Sequence, residues 1–116
     1  MAPPSQLRKT TSVLERLVKE EASYHKELAQ QEARIKQIKA GTDGEHTGYY
    51  LKQERQAVEE TKNIFPAMHA KISQAIKNLE DQLASNKEVD AEESAEEVTM
   101  AKEAIAAANK TLNEAS

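Results

Sequence analysis

The sequence predicts an all-α fold, an elongated up-down-up three-helix bundle with coiled-coil-like packing. Apolar residues recur at heptad spacing in three long segments, the pattern of helices that each bury one stripe. All three glycines fall within the eight residues "GTDGEHTG", positions 41–48, which indicates a turn between the first two segments. Aromatic residues make up only 3% of the 116 residues and charged residues 31%, so a broad core of large rings is excluded. A single domain over residues 1–116 accounts for this composition.

Helix one is predicted over about residues 5–40. A heptad runs through it without a change of phase, and seven of its ten positions are apolar: Leu7, Thr10, Leu14, Leu17, Glu21, Tyr24, Leu28, Gln31, Ile35 and Ile38. Two starting points stay open, because Ser5 is a candidate N-cap while Ser12 and Glu15 form a capping box further on.

Helix two is predicted over about residues 49–84, after the turn at 41–48. Apolar residues lie seven positions apart throughout it: Leu51, Val58, Phe65, Ile72 and Leu79. Because this register passes through Pro66, we expect one continuous helix that is kinked there, with the bend near the carbonyl of Lys62. Replacing Pro66 with alanine is expected to straighten and stabilise the isolated segment, with a smaller or opposite effect in the intact bundle.

Helix three is predicted over about residues 88–114, with Ser85 and Glu88 as a capping box. Its boundary with helix two is left open, because acidic residues crowd between Asp90 and Glu97 and the pattern weakens. The heptad then resumes at mostly small positions: Ala91, Ser94, Val98, Ala101, Ile105, Ala108 and Leu112. Three of these are alanines, so this helix is predicted to be thin and closely packed.

Residue types that carry chemistry are absent or scattered. The chain has no cysteine, which excludes disulfides, thiolate metal sites and cysteine nucleophiles. His25, His46 and His69 lie on different segments and are predicted to be surface residues, not metal ligands. The glycine-rich turn lacks the Gly-Lys-Ser/Thr ending of a phosphate-binding loop. We therefore expect a protein that is not an enzyme and that needs no cofactor or metal.

The net charge of −4 is unevenly distributed, with +3 over residues 1–40, −2 over 41–85 and −5 over 86–116. Either solvated helix faces attract one another within the bundle, or the first and last segments offer a partner surfaces of opposite sign. The basic residues of the first segment alternate with acids and almost lack aromatic neighbours, which argues against nucleic-acid binding. With no apolar run of ~18 residues and no signal peptide, we expect a soluble cytoplasmic protein.

Five apolar residues lie beside the main stripes: Val13, Val18, Ile64, Ile76 and Leu83. They either widen the core-facing band, as a three-helix bundle requires, or stay exposed as a protein-binding surface.

The segment "RLVKEEASYHKELAQQEARI", residues 16–35, resembles the tubulin-binding cofactor A family, and is most similar to its fungal members. The resemblance extends to "YYLKQER" at the start of helix two, to Phe65-Pro66 at its middle and to "AKEAIAAANKTL" in helix three. It covers nearly the whole chain, and the segment order agrees.

The resemblance implies a three-helix tubulin-folding chaperone that holds β-tubulin after its release from the cytosolic chaperonin and before it pairs with α-tubulin. It also implies a place beside the other tubulin-folding cofactors and an association with the cytoskeleton. Contact residues do not follow from it. Our candidates from the helix pattern are the charged residues off the apolar stripe of helix one, with two apolar neighbours: Arg16, Lys19, Lys26, Val18 and Ile64.

Two other functions fit heptad helices. A generic coiled-coil scaffold or homo-oligomerising module explains the repeats equally well, and the choice between monomer and homodimer is open. A membrane-surface helix in the first segment would need a strong apolar moment together with a polar face dominated by Lys and Arg, and our expectation is that the protein has no membrane partner.

Overall fold

The computed structural model describes residues 5–41, 46–86 and 91–115, with the backbone alone for residues 86 and 91–94. Within these ranges the chain forms four α-helices and no strand: α1 (Gln6–Ala40), α2 (Thr47–Lys62), α3 (Phe65–Asn86) and α4 (Ala91–Ala115). The predicted all-α bundle is confirmed.

The chain divides into two compact units. The first, here the three-helix unit, contains Met1–Lys19 and Met68–Ser116; the second, here the hairpin unit, is Glu20–Ala67. Helix α1 contributes to both. Whether the chain behaves as a single domain stays a prediction.

Helix α1 begins where Ser5 caps it. The Arg8 backbone N–H donates to the Ser5 hydroxyl oxygen at 3.1 Å, and the Lys9 N–H donates to the Ser5 carbonyl at 3.0 Å. These bonds satisfy donors of the first turn, as an N-cap does. Ser12 lies inside the helix, so the first of the two predicted starting points is the right one.

The second predicted helix is interrupted beside Pro66. Helix α2 ends at Lys62 and α3 begins at Phe65, with Asn63 and Ile64 as a two-residue turn between them. The kink predicted beside Pro66 is therefore confirmed: α2 and α3 are joined with a slight bend, which takes the form of a two-residue interruption of the helix. Pro66 lies in the first turn of α3, where a missing N–H breaks no helical hydrogen bond.

The hydrogen bonds at this junction explain how the helix stops without a sharp loop. Asn63 keeps a right-handed helical conformation (φ −70°, ψ −13°), and its N–H donates to the Glu59 carbonyl at 3.0 Å. The Ile64 N–H instead donates to the Thr61 carbonyl at 3.1 Å. This shorter i to i−3 step tightens the last turn of α2.

The predicted capping box at Ser85 is also corrected. Ser85 lies in the last turn of α3, and its hydroxyl donates to the Asp81 carbonyl at 3.1 Å. It therefore lies inside α3 and does not start the next helix, which begins at Ala91. The proposed partner, Glu88, lies outside the described residues, as do residues 42–45 of the glycine-rich turn.

The three-helix unit contains an apolar core. Its buried apolar side chains, none more than 7% exposed, are Leu7, Leu14, Met68, Ile72, Ala75, Ile76, Leu79, Ala101, Ala104 and Ala108. Leu14, Ile72 and Leu79 are fully buried, and a buried side chain of this size contributes ~1.5–3 kcal/mol. The described residues that α4 buries are all alanines, which fits the thin third helix that the sequence predicts.

Helices α1 and α4 run in the same direction within this unit. The Ser5 hydroxyl donates to the Glu97 carboxylate, near the start of both helices. Further along, Glu15 and Lys19 line a groove together with Glu103 and Ala107. The predicted parallel relation of the first and last helices is therefore present in this unit.

The hairpin unit pairs the second half of α1 with α2 in antiparallel order. Going back along α1 and forward along α2, Arg34 meets Glu54, Gln31 meets Thr61, and His25 meets Phe65 just past the end of α2. Short connections between helices favour this arrangement.

Candidate functional site

A groove of about 290 Å³ lies between α1 and α4 in the three-helix unit. Its apolar lining consists of Val18, Met100, Ala104 and Ala107. Val18 and Met100 are half-buried and Ala104 is buried. Because α4 presents alanines here, the space that longer side chains would fill stays open, and a partner's apolar side chain can enter it.

The rim of this groove is charged. Glu15 and Lys19 stand on the α1 side and Glu103 on the α4 side, all exposed. An apolar floor with a charged rim is the usual composition of a protein contact, since burial supplies affinity while rim charges tune encounter.

Two of the five predicted contact residues, Val18 and Lys19, line this groove. Arg16 is exposed on the same helix but is not part of the lining. Lys26 and Ile64 belong to the hairpin unit, where Lys26 is exposed and Ile64 is half-buried. Whether any of the five touches a partner stays a prediction.

A second, more polar groove of about 520 Å³ lies between α1 and α3 in the same unit. Amide and hydroxyl side chains dominate its lining, and Val13 stands at its edge with 42% of its surface exposed. Ile76, by contrast, is buried. The apolar residues beside the main stripes therefore differ in burial. Ile76 widens the core, whereas Val13 stays on the surface.

The interior of the hairpin unit is polar. Glu21 is only 3% exposed, and its Oε2 lies 2.8 Å from Nε2 of His25 on the next turn. The His25 ring stacks on Phe65, with 4.4 Å between ring centroids and 29° between ring planes. His25 is itself exposed, as the sequence predicts, and its pairing with Glu21 could have been expected from their spacing of four residues along a helix.

A second buried polar pair joins the two helices of the hairpin. The Thr61 hydroxyl donates to Oε1 of Gln31 at 2.9 Å, and both residues are buried. Gln31 occupies a core position of the heptad, so it faces inward as the pattern requires. The Thr61 hydroxyl supplies the donor that the buried amide oxygen of Gln31 needs.

Among the described residues no group of three or more His, Cys, Asp or Glu side chains is placed to hold a metal ion. Over the same residues, no helix combines the length and apolar character needed to cross a membrane.

Comparison with known proteins gives a family match along most of the chain. The family model for tubulin binding cofactor A matches residues 2–105, which includes α1, α2, α3 and more than half of α4. The chain belongs to the tubulin binding cofactor A family. The resemblance drawn from residues 16–35 is therefore confirmed.

Curated relatives of this tubulin binding cofactor A family member come from distant organisms. Tubulin-specific chaperone A of Saccharomyces cerevisiae is 32% identical over 110 residues, covering 95% of this chain and 96% of the relative. Tubulin-specific chaperone A of Mus musculus is 32% identical, covering 90% of this chain and 96% of the relative. Tubulin-folding cofactor A of Arabidopsis thaliana is 32% identical, covering 95% and 94%. No solved structure gives a significant match.

Proposed function

We propose that this protein is a tubulin-folding cofactor that binds β-tubulin and holds it until it pairs with α-tubulin. The observation that carries the proposal is the family match over residues 2–105, supported by relatives of nearly the same length. It acts in the cytoplasm in association with the cytoskeleton, alongside other tubulin-folding cofactors. The preference for β-tubulin over α-tubulin rests on the family resemblance alone.

The geometry supports a holding role rather than a catalytic one. The groove between α1 and α4 offers an apolar floor at Val18 and Met100, with Lys19 at its rim. A surface of this kind stabilises a client by mass action, because binding to the folded or nearly folded client draws it away from aggregation. Such holding requires neither nucleotide nor metal.

The test is capture of β-tubulin by charge-reversed variants. Replacing Arg16, Lys19 and Lys26 with glutamate is expected to weaken capture by about tenfold, because rim charges control encounter and salt dependence. The matched control replaces the exposed residues Lys71, Lys77 and Lys110 with glutamate. It changes the net charge of the protein equally, at positions that do not line the groove. Circular dichroism checks that both variants keep their helices.

Partial variants locate the effect. The pair Arg16→Glu and Lys19→Glu alters the three-helix unit, whereas Lys26→Glu alone alters the hairpin unit. If capture follows the pair, the groove is the contact; if it follows Lys26, the hairpin is. Unchanged capture by the triple variant, or equal loss in the control, contradicts a contact at these residues.

A direct probe of the groove floor uses Val18→Asp beside Val13→Asp. Both are valines on α1, but only Val18 lines the groove with α4. We expect Val18→Asp to reduce capture and Val13→Asp to leave it within about twofold, since a buried charge opposes apolar contact. A protein that forms long homo-oligomers and ignores tubulin would instead indicate a generic coiled-coil scaffold.

A further inference from the structure

The end of the hairpin unit where α1 finishes and α2 begins carries a cluster of exposed aromatic and basic side chains. Three large apolar or aromatic side chains are notably exposed among the described residues, and two of them, Tyr49 at 59% and Tyr50 at 51%, are neighbours in the first turn of α2. Tyrosines with a rigid two-torsion side chain are common anchors of protein contacts. Neither the family match nor the groove assigns them a role.

The rings of this cluster are held in place by one another. Tyr49 and Tyr50 meet edge to face with centroids 5.7 Å apart, and His46 meets Tyr50 edge to face at 6.2 Å. The Gln53 side-chain amide donates to the Tyr49 hydroxyl at 2.7 Å. Ordering the rings before binding lowers the entropy lost when a partner arrives.

Basic residues surround the tyrosines. The sequence from Arg34 to Arg55 contains five Lys/Arg against three Asp/Glu, a balance of +2 in a chain whose total is −4. All five cations are exposed: Arg34, Lys36, Lys39, Lys52 and Arg55. They stand on the last turns of α1 and the first turns of α2, which the Arg34 to Glu54 contact brings to the same end of the hairpin.

Among the described residues, these cations make few ion pairs. The Arg34 to Glu54 contact, Nη1 to Oε1, is 3.5 Å long and is the one ion pair found for these five cations within the described residues. A hydrogen bond at that distance is weak. This contact therefore costs little to break when an external anion approaches Arg34.

We propose that this end of the hairpin, defined by Tyr49, Tyr50, Lys36, Lys39, Lys52 and Arg55, binds an acidic peptide segment rich in Asp and Glu. The cations pair with its carboxylates, and the tyrosines supply the apolar contact that gives residence time. The occupant is assigned by charge complementarity. The inference goes beyond tubulin binding and does not depend on it.

Two other anionic partners fit the charge but not the rings. Insertion into an anionic membrane calls for exposed Trp, Phe or Leu beside the cations, whereas Ile35, Ile38 and Leu51 are partly covered here. A nucleic-acid strand stacks its bases on open ring faces. The edge-to-face packing of Tyr49 and Tyr50 leaves less open face for stacking.

The experiment measures fluorescence anisotropy of a labelled peptide made of Glu, Gly and Ala, with a peptide of the same length in which Gln replaces Glu. We expect the full-length protein to bind the Glu peptide, to lose affinity as salt rises and to ignore the Gln peptide. Lys52→Glu with Arg55→Glu is expected to weaken binding at least about tenfold. Tyr49→Ala with Tyr50→Ala is expected to weaken it about fivefold or more.

The matched control is Lys71→Glu with Lys77→Glu, which changes the net charge equally on exposed positions of α3. It should stay within about twofold of the unaltered protein, because the effect belongs to the cluster and not to total charge. Equal loss in this control, or no binding of the Glu peptide at low salt, overturns the proposal. Displacement of the peptide by oligothymidine or by phosphatidylserine vesicles at comparable concentration would reassign the site to those partners. β-Tubulin capture, measured separately, distinguishes a failure here from a failure of the proposed function.

Discussion

The three-helix unit and the hairpin unit bury different kinds of side chain. Ten of the eleven buried apolar residues belong to the three-helix unit, whereas Val58 is the one found in the hairpin. Three of the four buried polar residues, Glu21, Gln31 and Thr61, belong to the hairpin. The heptad positions of α1 therefore face two different interiors. Burial of apolar side chains stabilises the three-helix unit, and hydrogen bonds between buried polar side chains contribute more in the hairpin unit.

This difference affects both stability and specificity. Burial of apolar area is the larger and less directional contribution to stability, while a hydrogen bond between neutral groups adds about 1 kcal/mol net. We infer that the hairpin unit opens at a lower free energy than the three-helix unit. Elements that receive a partner are commonly drawn from the less stable part of a protein.

The largest effect is expected from a core truncation in the three-helix unit. Leu14→Ala should lower the free energy of unfolding by about 2–5 kcal/mol, because the side chain is fully buried and leaves a cavity. Leu28→Ala, the same change at a half-buried heptad position in the hairpin, should have a distinctly smaller effect. Urea denaturation followed by circular dichroism measures both. Equal losses would mean that the two interiors do not differ in energy as described.

A double-mutant cycle tests the polar interior of the hairpin. Thr61→Val removes the donor and leaves the buried Gln31 oxygen unpaired, which should cost about 1–3 kcal/mol. Adding Gln31→Leu removes the orphaned group as well, and should restore most of that loss. The unfolding free energies of the two single variants and the double variant provide the test. Strictly additive losses would show that the hydrogen bond does not couple the two residues.

The start of α1 offers a smaller effect with a close control. Ser5→Ala should lower stability by about 1 kcal/mol, since it removes the N-cap and the contact with Glu97. Ser12→Ala lies inside the helix on an exposed position and should be neutral or slightly stabilising, because alanine has the higher helix propensity. Thermal unfolding of the two variants separates these outcomes. A larger loss from Ser12→Ala would place the functional start of the helix there.

Pro66→Ala is expected to have the smallest effect, a loss of less than about 1 kcal/mol. In the first turn of α3 the missing N–H breaks no helical bond, so alanine gains little in the folded state. It gives the unfolded chain more freedom, which weakly favours unfolding. Chemical denaturation that instead showed a clear gain in stability would support the strained, continuous helix expected from the sequence.

Much of the fold follows from periodicity. The ten heptad positions predicted in α1 are all buried or half-buried, from Leu7 to Ile38. The break at Asn63 and Ile64 did not follow, because a two-residue turn that stays near helical conformation leaves the spacing of Val58, Phe65 and Ile72 unchanged. A heptad pattern shows only a change in the spacing of apolar residues, and this turn leaves that spacing unchanged.

The candidate site was less accessible from sequence. Val18 and Lys19 were singled out because they lie off the stripe, but the groove beside them depends on small residues contributed by α4, such as Ala104 and Ala107. The exposure of Tyr49 and Tyr50 also does not follow from the sequence, since tyrosine is intermediate between buried and exposed residue types. Both the groove and the exposure of the tyrosines depend on which helices pack against each other, and a single helix pattern does not give that.

The buried pair of Gln31 and Thr61 also determines the alignment of the hairpin. Two heptad helices can slide past each other by one repeat and still match apolar residues with apolar residues. Such a slip would replace Thr61 by the residue seven positions away, Glu54 or Met68, and neither carries a hydroxyl to donate to the amide oxygen of Gln31. A single buried polar pair thus selects one alignment from several of similar apolar content.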